Sequence, residues 1–167
     1  ILKVEADPGT FDLTEPSGGE GQVVGAIEVP ESEQAGDAVY VIERIEVDGS
    51  GSKDGVTKRF SWAFDAELEH SECEGKEGGV FQATVRADHF FYDSLAAAEP
   101  ALRFEAIAAA DSDDDGDVSV SELEEADIGD YDPGSGGGTE NLWQYLEAAA
   151  KTVGHANGEG HCHVTER

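Results

Sequence analysis

Asp111-Ser112-Asp113-Asp114-Asp115-Gly116-Asp117-Val118-Ser119-Val120-Ser121-Glu122 is the stretch from which the rest of the chain can be read. Six of these twelve residues are acids, and two carboxylates about 5 Å apart repel by roughly 3 kcal/mol at an effective dielectric near 20. Crowded in this way they call for a cation, and without one the turn is expected to loosen. Gly116 sits where a sharp turn needs a backbone angle that a side chain would oppose.

The spacing resembles the twelve-residue calcium loop of the EF-hand family, with acids at positions 1, 3 and 5, Gly at 6, an apolar residue at 8 and Glu at 12. That resemblance implies Ca2+ as the cofactor and a ligand set in this chain. Asp111, Asp113 and Asp115 would each give a carboxylate oxygen, Asp117 its backbone carbonyl, Ser119 a direct or water-bridged oxygen, and Glu122 a bidentate carboxylate. An acidic turn that binds nothing is the plainer alternative. EF-hands normally work in pairs, yet no second twelve-residue match occurs, and Asp130 with Asp132 offers only a nonspecific spacing. A lone loop against a sheet is expected to be a fixed structural clamp. Sensor grooves are Met-rich, and this chain has no Met.

Working outward from the loop, helices are expected on both sides. Residues 93–99 are Ala-rich, Pro100 is placed to open a second helix, and Leu102, Ala106, Ile107 and Ala110 form a stripe leading into the loop. A short exit helix runs from Ser119 to about Ala126. After a Gly-rich connector over 130–138, Thr139 is read as the cap of a last helix over 140–153, with Gly154 at its stop. Its face of Leu142, Tyr145, Leu146, Ala149 and Val153 needs an apolar surface to dock on.

The first half reads as strands. Phe60, Trp62, Phe64, Ala66 and Leu68 alternate with Ser61, Ala63, Asp65 and Glu67, the period of a half-buried antiparallel strand. Val23, Ile27 and Val29 share one face of 21–30. Val39, Val41, Ile45 and Val47 share one face of 38–48, which Glu43 interrupts. Residues 79–91 form the last clear strand, with Phe81, Ala83, Val85, Ala87 and His89 on one side, and shorter strands are expected near 2–6 and 10–14. Turns are placed at 16–21 and 48–55 from their Gly, Ser, Pro and Asp content. The expectation is one α+β domain over 1–167: an antiparallel β-sandwich or open barrel over 1–91, then a mostly helical part over 92–167 built around the loop.

Ten Lys and Arg against 38 Asp and Glu leave a formal net charge of -28, spread along the whole chain. Such a surface repels nucleic acid and anionic lipid, attracts divalent cations, and stays soluble at high salt, where screening removes its self-repulsion. No stretch reaches the 18 or so apolar residues needed to cross a bilayer as a helix. No Met occurs even at position 1, so the chain is expected to begin after processing or trimming. Cys73 and Cys162 form no CxxC pair, which excludes a zinc ribbon or thioredoxin motif. In an oxidising compartment they would pair and tie the tail back. A second, fainter resemblance covers about the second half of the chain. It runs from Asp88-His89-Phe90-Phe91-Tyr92-Asp93 through Arg103-Phe104 into the loop, and includes the tail from Gly154-His155 to His161-Cys162. These residues look like uncharacterised secreted or lipoprotein-type bacterial proteins with one EF-hand, and the resemblance implies export and calcium. A secreted, periplasmic or cell-surface location is therefore expected.

Two other functions are open to these residues. Pairing of the cysteines would bring His70 near His161 and His163, three imidazoles that could hold copper or zinc. Polar residues around a disulfide are the simpler account. His89 reads as a neutral core histidine, or as one of a ligand pair with His155. The other function is an assembly subunit or adhesin, with exposed sheet edges accepting a partner strand or a second copy. No nucleophile elbow, dinucleotide fingerprint, P-loop or HExxH occurs, so no enzyme is expected, and a carbohydrate-active hydrolase hidden among the acids is the remaining enzymatic alternative.

Overall fold

The computed structural model describes residues 2–5, 9–12, 22–34, 38–74, 77–135, 138–158 and 160–167. The α+β expectation holds: strands fill the first half in two sheets, one of them curled into a half-barrel, and the helices follow. The turn expected over 16–21 lies outside the described residues. So do the side chains of Val23, Ile27 and Ala66 and part of the 130–138 connector.

The strands are β1 (Leu2–Glu5), β2 (Gly9–Asp12), β3 (Gln22–Gln34), β4 (Tyr40–Lys53), β5 (Val56–Ser71) and β6 (Glu77–Val85). Pairing of β4 with β5 is antiparallel along nearly their whole length, and β3 pairs antiparallel with β6 in the second sheet. β1 and β2 both lie parallel to β4, so the first sheet is not purely antiparallel. In β5 the alternation is realised: Phe60, Trp62, Phe64 and Leu68 are buried, while Ser61, Ala63, Asp65 and Glu67 face water.

β4 corrects the expected face. The register against β5 shifts between Ile42 and Arg44, where one residue of β4 stands against two of β5, and across that shift the inward parity of β4 reverses. Tyr40 and Ile42 are therefore buried before the bulge and Ile45 and Val47 after it, whereas Val39 is exposed. The turn expected over 48–55 is also smaller. Only Asp54 and Gly55 turn, both with positive φ (51° and 82°), while Lys53 and Val56 already face each other in the ladder. A two-residue Asp-Gly loop with both angles positive matches the right-handed twist of the strands it joins.

The strand expected over 79–91 stops at Val85, and a 3-10 turn spans Ala87–Phe91. Phe90 and Phe91 are both fully buried, which a strand facing water on one side does not allow for neighbours. Asp88 is also buried there, held by Arg86 (Nη2 to Oδ2, 2.9 Å) and by the Tyr92 hydroxyl at 2.8 Å.

Residues 92–167 are less helical than expected. The helices are α1 (Glu105–Ala110), α2 (Val120–Glu125) and α3 (Leu142–Ala150), and three short strands intervene or follow: β7 (Asp117–Val118), β8 (Gly154–Ala156) and β9 (His163–Glu166). No helix forms over 93–99. There the Asp93 carboxylate accepts from the Ala101 N–H, and the Ser94 hydroxyl accepts from the Ala96 and Ala97 N–H groups, local bonds that compete with a helix. α3 is capped by Asn141, whose side chain accepts from the Gln144 N–H at 2.9 Å, and not by Thr139. Gly154 is in β8, well past the end of α3.

β8 joins the β3–β6 sheet, whereas β7 and β9 both pair with β5, at opposite ends of it. The described core is one cluster drawn from both halves of the chain. α3 docks on the sheet through Trp143, stacked on Phe64 with ring centroids 4.7 Å apart, and Phe64 in turn stacks on Phe90 at 5.1 Å. The disulfide between Cys73 and Cys162 fastens the tail beside the β5–β9 pairing.

Candidate metal centre

The acidic loop lies between α1 and α2 and is seated on the sheet. Ile107 and Leu123 bury the inner faces of the two helices. Between them β7 lies parallel to β5, with Asp117 opposite Arg59 and Val118 opposite Phe60. The Arg59 N–H donates to the Gly116 carbonyl at 2.9 Å, and the Trp62 indole N–H donates to the Val118 carbonyl at 2.9 Å. Val118 itself is buried in the core. The loop is thereby held by a strand of the sheet.

Local bonds aim the carboxylates. Asp111 Oδ2 accepts from the Gly116 N–H (3.0 Å), Asp113 Oδ1 from the Asp115 N–H (3.1 Å) and Asp115 Oδ1 from the Asp117 N–H (2.8 Å). Asp114 and Gly116 turn the chain with φ of 58° and 87°. As a result, carboxylate oxygens of Asp111, Asp113 and Asp115 all lie within 4.8 Å of one another, the one such group of three or more candidate metal ligands among the described residues. Asp111 is 6% exposed, and its Oδ1 is buried without a hydrogen-bond partner. A buried carboxylate oxygen left unsatisfied is costly, and a bound cation is the partner that the neighbouring carboxylates suit.

The other three expected ligands are placed differently. Glu122 is turned to the loop's own backbone: Oε1 accepts from the Ser112 N–H (2.8 Å) and Oε2 from the Ser119 N–H (2.9 Å). Ser119 caps α2 and closes a capping box with Glu122. These bonds, Ser119 first, hold the Glu122 carboxyl at a pKa of about 2. The Asp117 side chain points away to Arg59, which binds it through two nitrogens; only its backbone remains for the role expected of it.

Sequence reasoning missed two residues at this site, Lys58 and Arg59. Lys58 Nζ donates to Asp111 Oδ2 at 2.5 Å, and the Lys58 ammonium is the main cause holding the Asp111 carboxyl below the usual carboxylate range. Two adjacent cations at the start of a strand, in a chain with only ten, were the available signal. Without the β5–β7 pairing nothing linked them to the loop.

The histidine cluster is not formed as expected. His70, His161 and His163 bring no three ligand atoms together. The register explains it: Val164 stands opposite His70, while His163 stands opposite Ser71 and so lies on the other face of the sheet. His70 is buried, stacked on Tyr40 with centroids 4.4 Å apart, whereas His161 and His163 are exposed. The rings that do meet are His89 with His155 (4.9 Å, edge-on) and His155 with His161 (5.5 Å), and His89 Nδ1 also contacts the Thr152 hydroxyl at 2.9 Å. Asp132 is likewise engaged, by the Ser94 hydroxyl and the Gly134 N–H, so with Asp130 it forms no second cation group.

Fold and site together define an α+β protein that carries a sheet-supported acidic loop. No protein family's profile matches the chain, and no curated protein or solved structure does.

Proposed function

We propose that this is a calcium-binding protein in which the single EF-hand loop over 111–122 works as a structural clamp, in an extracellular or surface-associated setting. The observation that carries the reading is the Asp111 carboxylate, whose buried Oδ1 has no hydrogen-bond partner and which is grouped with the carboxylates of Asp113 and Asp115. A hard divalent cation there would offset the repulsion of these acids and satisfy that oxygen. The Asp117 carbonyl, Ser119 and Glu122 would complete the oxygen set, Glu122 by exchanging its present bonds to the Ser112 and Ser119 N–H groups for the ion. The clamp reading, as opposed to a sensor, is supported by where the loop is anchored. β7 is part of the β5 ladder and Val118 is in the core, so little is free to swing open. The Cys73–Cys162 disulfide and the charge of -28 suit an oxidising, ion-rich exterior.

A ligand that binds only the folded state raises stability with the logarithm of its concentration above Kd. The melting temperature should therefore rise in millimolar calcium relative to chelator, and the double substitution Asp111→Ala with Glu122→Gln should abolish the difference. Equal melting of the unsubstituted protein in calcium and in chelator would remove the proposal.

A further inference from the structure

We propose that Lys58 sets the ion affinity of the loop, as a tethered cation that shares the Asp111 carboxylate with the bound ion; this rests on the calcium reading above. Lys58 has the same strand parity as the buried Phe60, Trp62 and Phe64, so it is the cation that precedes the apolar run of the inward face. Its side chain is 17% exposed and that of Asp111 fully buried, with Nζ 2.5 Å from Oδ2. The two oxygens of Asp111 are thereby divided. Oδ2 accepts from Lys58 and from the Gly116 N–H, Oδ1 is left without a hydrogen-bond partner, and a carboxylate oxygen of Asp111 lies within 4.8 Å of those of Asp113 and Asp115.

Two effects of opposite sign follow from that division. Before an ion arrives, the ammonium offsets part of the acidic repulsion and keeps the loop seated on β5. Once an ion occupies Oδ1, the two cations face each other across one carboxylate, and their repulsion weakens binding. Holding Asp111 in place also favours binding, but the Gly116 N–H shares that task. Repulsion by a fixed charge beside a divalent ion is the larger effect. Lys58 thus trades affinity for a loop that stays folded without its ion, which suits a module working where calcium is plentiful.

The test is calcium titration calorimetry on the full chain at fixed ionic strength, comparing the unsubstituted protein with K58M, K58Q and K58R, and with the D111A/E122Q double variant as a non-binding control. Removing the charge in K58M and K58Q should tighten binding at least about tenfold, a gap that narrows as salt is raised. K58R, which keeps the charge, should bind like the unsubstituted protein. Melting in chelator should fall for K58M and K58Q and hold for K58R. Equal or weaker binding by K58M and K58Q would overturn the role of Lys58 while leaving the calcium site standing, and so would K58R binding as tightly as K58M. No binding by the unsubstituted protein or any variant would remove the calcium site itself, and this inference with it.

Discussion

Gly154 and His70 show how much a single contact decides. A Cβ built at Gly154 would lie 2.2 Å from His70 Nε2, so the imidazole occupies the space a side chain would need. Forcing a methyl group into a filled site costs about 1–3 kcal/mol, and Gly154→Ala should destabilise the protein by that amount in denaturant unfolding. His70 is also a buried base. Burial, and less strongly the neighbouring His155, lower its pKa from 6.5 to about 4, against the opposing bond to the Leu68 carbonyl. The unfolded chain therefore binds a proton that the folded protein refuses between these two values. The stability His70 contributes is fully present above about pH 6.5 and is lost as pH falls toward about 4. Thermal midpoints measured across that window should fall with pH, and His70→Gln should flatten the slope. None of this was legible from His70 in isolation. A histidine three residues before a cysteine suggests a metal ligand, and only the pairing of β5 with β9 reveals that it faces the core while His163 faces away.

Among the elements, legibility followed the range of the interactions that define them. β5 was plain because its alternation is local and runs unbroken through Trp62. β4 departs from its local pattern because the irregularity at Glu43, one residue of β4 against two of β5, exists only in the pairing, and the change of register inverts every inward residue before it. The loop's ligand spacing was visible because twelve consecutive residues carry it, whereas its support by Lys58, Arg59 and Trp62 depends on segments more than fifty residues apart in the chain. α2 is six residues long and buries Leu123 alone among its own residues, too short a helix to persist without tertiary contacts. Leu123→Ala should cost about 2–5 kcal/mol, and because it loosens the helix that carries Glu122 it should also weaken calcium binding. Unfolding curves and calcium titrations on one variant check both. A normal calcium response with the stability loss would mean that the loop holds itself together without its exit helix.

On the scale of the whole molecule, the two halves that differ so clearly in pattern are sewn together by β5. One end of this strand carries the acidic loop through β7, and the other carries the tail through β9, next to the Cys73–Cys162 bond. Composition made the acidic surface and the paired cysteines readable, and period-two patterning made the β-rich half so. The return of β8 and β9 to the sheets was hidden, because strands of three and four residues carry almost no pattern of their own. What the architecture accomplishes at the loop is to hold one carboxylate oxygen out of water with nothing of the protein's own to bind. A crystal structure grown in about 1 mM calcium, within the range of extracellular modules, tests this most directly. Anomalous density among Asp111, Asp113 and Asp115, with Asp111 Oδ1 as a ligand, is the predicted result; that position filled only by water, with the acidic side chains splayed into solvent, would contradict the account.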